Sequence, residues 1–178
     1  MSLSVVYAVD TGHVLGALTL TGANPAAEVG LLVGAALPLR VTALLSGKTM
    51  DLPVAARRLE VAAVDDEPGA FATPLSFGVE LNALGLPKPA LAQLAPWSEP
   101  LTLTKDKLTI TLPVIVSRVT PVLALVSGEA EPHVFTGEIP AQQQTLQFQV
   151  ELENGDEHGV LVLVAGQAGR LEAKVVGQ

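Results

Sequence analysis

Thr145-Leu146-Gln147-Phe148-Gln149-Val150-Glu151-Leu152-Glu153, followed by Asn154-Gly155, is the stretch that decides the fold class. Leu146, Phe148, Val150 and Leu152 alternate with Gln147, Gln149, Glu151 and Glu153. A period of two puts the apolar side chains on one face of an extended strand and the polar ones on the other. Asn154-Gly155 is a preferred hairpin dipeptide, because both positions tolerate a positive φ. His158 to Val164 reads as the return strand, Gly166 to Gly169 as a turn, and Leu171 to Val176 as a third strand. The expectation is a three-strand meander at the end of the chain.

Working outward, Leu101 to Thr104 and Lys107 to Leu112 flank Lys105-Asp106, and Pro121 to Val126 ends at Ser127-Gly128. Leu108-Thr109-Ile110-Thr111-Leu112 is a clean half-buried strand pattern. Ser4 to Val9 and His13 to Leu20 form a hairpin about Asp10-Thr11-Gly12. Thr21 to Ala27 is a connection, and Glu28 to Ala36 is a short helix or a buried strand. Leu37 to Leu45 is a strand turning at Ser46-Gly47-Lys48, and Leu52 to Val64 a strand or bulged pair. After the turn at Asp65 to Gly69, Leu75 to Leu81 alternates again. Asn82 to Pro100 breaks the pattern with Pro87, Pro89, Pro96, Pro100 and the only tryptophan, Trp97; Ala90 to Ala95 fits one helical turn.

The expected fold is therefore all-β: an antiparallel β-sandwich or β-barrel-like arrangement with little helix. The proline-rich stretch 86–100 separates an N-terminal β sub-domain, 1–85, from a C-terminal one, 101–178, with a single domain as the alternative. Val41 to Lys48 and Val122 to Glu129 both run an apolar strand into Ser-Gly, an echo that fits either two related sub-domains or chance in a composition rich in valine, leucine and alanine.

Composition narrows the function. The 178 residues are 49% hydrophobic but only 3% aromatic and 16% charged, with no cysteine and three histidines. A chain of this length buries a core without disulfides, and thiol chemistry is excluded. Residues 1–100 and 101–178 each carry five basic and nine acidic side chains, giving the net charge of -8 with no basic arm. Arg57-Arg58 is the only adjacent basic pair, so no nucleic-acid partner is expected. Met1 to Tyr7 lacks the basic start of a secretion signal. Val29 to Leu39 is uncharged but too short to span a bilayer. No membrane association is expected, and the expected compartment is cytoplasmic.

Tyr7-Ala8-Val9-Asp10-Thr11-Gly12 resembles the apolar-apolar-Asp-Thr-Gly signature of pepsin-like and retroviral-type aspartic proteases. The resemblance implies Asp10 as one of two proton-sharing aspartates, with Thr11 and Gly12 supporting it. That family needs a second copy of the motif or a symmetric dimer; no second Asp-Thr-Gly or Asp-Ser-Gly occurs in the chain, and His13 stands where the family usually has a small residue. Asp10-Thr11-Gly12 also resembles the phosphate hairpin of actin-like ATPases, without their length or helices. Ser46-Gly47-Lys48-Thr49 has Thr42 where a P-loop needs glycine, and Met50 to Val54 is a poor helix start. His13, His133 and His158 are isolated in sequence. Asp65-Asp66-Glu67 and the group Glu151, Glu153, Asp156 and Glu157 lack calcium-loop spacing. No metal or cofactor is expected.

These observations favour a non-catalytic structural or adaptor module of a protein assembly, a homo-oligomer or a subunit of something larger. Val29, Leu31, Val33, Leu39 and Trp97 are its candidate interface residues. Two alternatives follow from the same residues: a hydrolase resembling a dimeric aspartic protease through Asp10, and a β-sandwich module binding a small molecule or glycan.

Overall fold

The computed structural model describes residues 3–19 and 28–177; the connection expected at 21–27 lies outside them. In chain order the elements are β1 (Leu3–Ala8), β2 (Val14–Thr19), α1 (Val29–Val33), β3 (Ala36–Thr42), β4 (Thr49–Ala55), β5 (Leu59–Val64), α2 (Gly69–Ala72), β6 (Phe77–Gly78), β7 (Ala92–Gln93), β8 (Thr102–Leu103), β9 (Lys107–Thr111), β10 (Thr120–Val126), β11 (His133–Ile139), β12 (Thr145–Gln149), β13 (Glu157–Val164) and β14 (Arg170–Val175). The strands form antiparallel sheets and the two helices are about one turn each, so the fold is all-β and sandwich-like. No helix among the described residues is long and apolar enough to cross a membrane.

The chain divides into two compact units, each built from more than one stretch of sequence. The first holds the residues up to Leu37, Val54–Pro96 and Ala165–Gly169; the second holds Pro38–Pro53, Trp97–Val164 and the residues from Arg170 onward.

In the first unit, β1 is the centre of a sheet ordered β2-β1-β5, and all six of its residues are buried. Leu3, Val5 and Tyr7 pack with Val14, Ala62, Val64, Phe77 and Val79. Tyr7 donates its hydroxyl to Glu60 Oε2 at 2.7 Å, so the ring is buried and its polar tip satisfied.

The second unit is the sandwich. A sheet ordered β11-β10-β13-β14 faces one ordered β12-β9-β8. Val122, Ala124 and Val126 of β10 and Val160, Val162 and Val164 of β13 share one buried cluster with Leu103, Leu108, Ile110 and Leu112. Burying each of these larger side chains contributes roughly 1.5–3 kcal/mol. The other faces of β10 and β13, with Leu123, Leu125, Leu161 and Leu163, are at most 1% exposed. Burial on both faces explains why these two strands read as continuous apolar runs rather than as alternation. The β3–β4 hairpin reaches β13 at Gly159, where a Cβ would stand 2.7 Å from Val41 Cγ1 and 3.2 Å from Leu52 Cδ1. Only glycine admits that approach.

Several expectations are corrected. The first pairing of the terminal meander does not form: β12 pairs with β9, and β13 pairs with β10 and β14. Beyond Gln149, Val150 N–H donates to Asp106 O and Leu152 N–H to Lys105 O, so the chain keeps following the β8–β9 turn. The turn at Asn154-Gly155, with Gly155 at φ +83, then delivers it to the opposite sheet. Turn chemistry fixes a reversal; it does not fix which sheet each arm joins. Residues 52–64 are interrupted by a 3-10 turn at Ala56–Arg58 and serve two different sheets. Residues 90–95 are extended rather than helical, with β7 pairing to β6 between flanking prolines. Strand β11, which carries little alternation, is not evident in the sequence. The segments Val41 to Lys48 and Val122 to Glu129 both belong to the second unit, one in a hairpin and one running from a central strand.

Candidate functional site

The Asp10-Thr11-Gly12 turn joins β1 to β2, and each of its residues has a structural partner. The Asp10 carboxylate accepts from Arg58 Nη1 at 3.0 Å. Gly12 has φ +79, and a Cβ on it would lie 2.8 Å from the Val79 carbonyl oxygen. Thr11 lies 2.9 Å, Oγ1 to Nδ1, from His13, which is fully buried. His13 Nε2 is 2.7 Å from the carbonyl of Gln167. A carbonyl only accepts, so Nε2 carries the proton, and Nδ1 accepts from the Thr11 hydroxyl. Burial pushes the imidazole pKa down to about 4, against a smaller opposing pull from the Gln167 carbonyl. The neutral ring is a buried link within the first unit. The sequence gives Asp10, Thr11 and Gly12 as a turn but carries no signal for His13, whose partner is 154 positions away.

In the second unit, a groove of about 640 Å³ opens between the β3–β4 turn, residues 127–132 and residues 155–158. Its floor is the ladder end where β10 meets β13. Ser127 N–H donates to Gly159 O at 2.8 Å, and Gly159 N–H returns to Ser127 Oγ at 2.8 Å. His158 Nδ1–H donates to the Ser127 carbonyl at 2.6 Å, and among the described residues its buried Nε2 has no hydrogen-bond partner. The imidazole addresses the serine's carbonyl and not its hydroxyl, so the two do not form a nucleophile–base pair. The Glu157 carboxylate accepts from Leu44 N–H and from Leu45 N–H, which pins the hairpin turn. Asp51, Glu129, Glu131 and Asp156 outnumber Lys48 around the groove, leaving it negative. Among the described residues, no group of three His, Asp or Glu side chains is placed to hold a metal ion.

The candidate interface residues are divided between the units. Val29, Leu31 and Val33 lie on α1 in the first; Leu39, on β3, and Trp97 lie in the second. Leu31 is 80% exposed, and Val29, Val33 and Leu39 are half-buried. Trp97 is half-buried against the sandwich core. The Arg170 guanidinium sits 4.5 Å from its ring centroid and donates to Glu99 O and Glu172. That packing fastens residues 97–99 within the second unit.

The sequence does not single out the leucines at the turns. Leu44 and Leu45 stand 76% and 75% exposed at the hairpin tip, and Leu84 and Leu86 stand 83% and 58% exposed after Asn82. Asn82 Oδ1 accepts from Leu84 N–H at 2.8 Å and Leu86 N–H at 3.1 Å, while Lys88 and Glu80 pair at 2.7 Å. The loop is an ordered, side-chain-capped turn whose apolar residues point outward. Comparison of the chain with protein-family models, with curated proteins and with solved structures found no match.

Proposed function

We propose that this chain is a non-catalytic structural or adaptor module of a cytoplasmic protein assembly, working by packing against other chains. The observation that carries the reading is the 81–87 turn. Its backbone is held by Asn82, yet Leu84 and Leu86 are left in solvent. A rigid turn that presents leucines loses little entropy when a partner covers them, which is how preorganised contacts gain affinity. Leu31 with Val29 and Val33 on α1, and Leu44 and Leu45 with Leu39 on the β3–β4 hairpin, are the further contact elements. The net charge of -8 disfavours phosphate backbones as partners.

The test is the absolute mass by light scattering across a tenfold concentration range, for wild type and for Leu84→Ser/Leu86→Ser. A mass above the single chain that drops in the variant supports the reading. A stable oligomer indifferent to these leucines moves the contact elsewhere, and a single chain throughout removes self-assembly and leaves a different protein as the partner.

A second reading, a β-sandwich ligand-binding module, is supported by the groove beside His158. Its excess of carboxylates suits a cationic small molecule. Equilibrium dialysis with spermidine tests it: binding lost in Asp51→Asn/Glu131→Gln is expected, and no binding sinks it. The hydrolase alternative requires Asp10 to leave Arg58 and meet a second aspartate from another copy, and the turn geometry favours neither step.

A further inference from the structure

The two edges of the four-stranded sheet are unlike. On β14, Glu172 pairs with both Arg170 and Lys174, so charged side chains line that edge strand. Charges of this kind are how natural sheets discourage edge-to-edge pairing. On β11 the seven residues His133–Ile139 pair with β10 in unbroken register, with no bulge, no proline and one charged side chain, Glu138. Among the described residues, no strand pairs with its other side.

The direction of the free backbone groups follows from the ladder. Ser127 N–H bonds Gly159 O, so the odd residues of β10 address β13 and its even residues address β11. The register sets Val122, Ala124 and Val126 opposite Gly137, Phe135 and His133. Those three β11 residues exchange bonds with β10; Val134, Thr136 and Glu138 aim their N–H and C=O groups away from the sheet. Pro121 agrees with this parity, because its missing N–H falls on the β13 side, beyond the last pair at Val122–Val164.

We propose that β11 is a homotypic docking edge: two copies of this chain pair their β11 strands antiparallel about Thr136, joining two four-stranded sheets into one of eight. This rests on, and deepens, the assembly reading. The strand's own order selects a second copy as the occupant. With Thr136 opposite Thr136, each Glu138 meets a Val134, each Phe135 meets a Gly137, and each His133 meets an Ile139. No carboxylate faces a carboxylate across the pair. The outward groups of Val134, Thr136 and Glu138 then complete six backbone hydrogen bonds, two for each of three opposed pairs. Val134, 42% exposed, gains cover in the same step.

The test is sedimentation equilibrium of the full chain over a hundredfold concentration range, with Thr136→Pro and Thr136→Lys beside wild type. Wild type is expected to move from 18.4 kDa toward twice that mass. Thr136→Pro removes only an outward donor, and Thr136→Lys sets two lysines face to face; both are expected to stay at the single-chain mass with unchanged far-ultraviolet circular dichroism. Since the chain has no cysteine, Thr136→Cys reports the register directly: it should form a disulfide-linked dimer under mild oxidation, and Lys174→Cys on β14 should not. An oligomer unaffected by both Thr136 variants, with no cross-link, overturns the β11 edge and leaves the assembly reading standing. A wild type that stays single at every concentration overturns self-pairing and sends the assembly reading to a different protein.

Discussion

His13 Nε2–H donates to the Gln167 carbonyl at 2.7 Å, tying the first β-hairpin to a turn 154 positions later. Burial holds the ring neutral, with a pKa near 4 against an ordinary value of 6.5. A histidine depressed in this way contributes stability that is complete above the unfolded pKa. That contribution declines as the pH falls from about 6.5 toward about 4. The loss over the window is on the order of 3 kcal/mol. Urea midpoints between pH 7 and 5, above most carboxylate titration, should fall in wild type and stay nearly level in His13→Gln. Equal slopes in the two proteins would sink the assignment.

Tyr7 gives the alkaline counterpart. Burial, then the hydrogen bond to Glu60, then the repulsion of that carboxylate raise its phenol to about 12. A raised phenol contributes stability that is complete below pH 10 and is lost as the pH climbs through about 12. Tyr7 is the only tyrosine, so absorbance at alkaline pH reads this group alone. A titration midpoint near 10 in the folded protein would contradict the buried geometry.

Gly12→Ala should be among the most damaging alanine substitutions in the chain. The positive φ costs an L-residue about 1–2 kcal/mol, and the new Cβ would press on the Val79 carbonyl oxygen at 2.8 Å, a backbone atom with little room to move. A total loss of about 2–4 kcal/mol is expected from urea unfolding. A loss under about 1 kcal/mol would mean that the backbone at Val79 yields freely.

Arg170 covers the indole of Trp97 and donates to Glu99 O. Arg170→Met keeps the stem but removes the cation and its hydrogen bonds, at a cost of about 1–3 kcal/mol. Because Trp97 is the only tryptophan, its fluorescence should shift to the red in the variant before any unfolding. An unchanged spectrum and midpoint would show that the stacking contributes nothing.

Much of the architecture was legible, and what was not has a physical pattern. Period-two alternation marked β9 and β12, and the Asp-Thr-Gly turn marked the β1–β2 hairpin, because those signals are local. Partnership was not local. Nothing near Asn154-Gly155 says that β12 joins β9 while β13 joins β10. Strand β11 carries no such local signal, because Phe135 and Ile139 are the only large inward residues in a run that also holds Gly137, Glu138 and His133. At the candidate sites, Asp10 and Trp97 stood out as residue types, but their partners Arg58 and Arg170 lie 48 and 73 positions away. The exposed Leu84 and Leu86 could not be told from core leucines until the capped turn placed them.

The division of the chain has a consequence for synthesis. Because Ala165–Gly169 belongs to the first unit, that unit lacks its last piece until Trp97–Val164 of the second has been made. His13 waits for Gln167, with β1 and β2 already present and their imidazole link unfilled. Vectorial folding, one unit after the other, is therefore closed to this chain. The β1–β2 hairpin must wait while about 150 further residues arrive, and slowing translation through residues 97–164 should lengthen that exposed interval rather than shorten it.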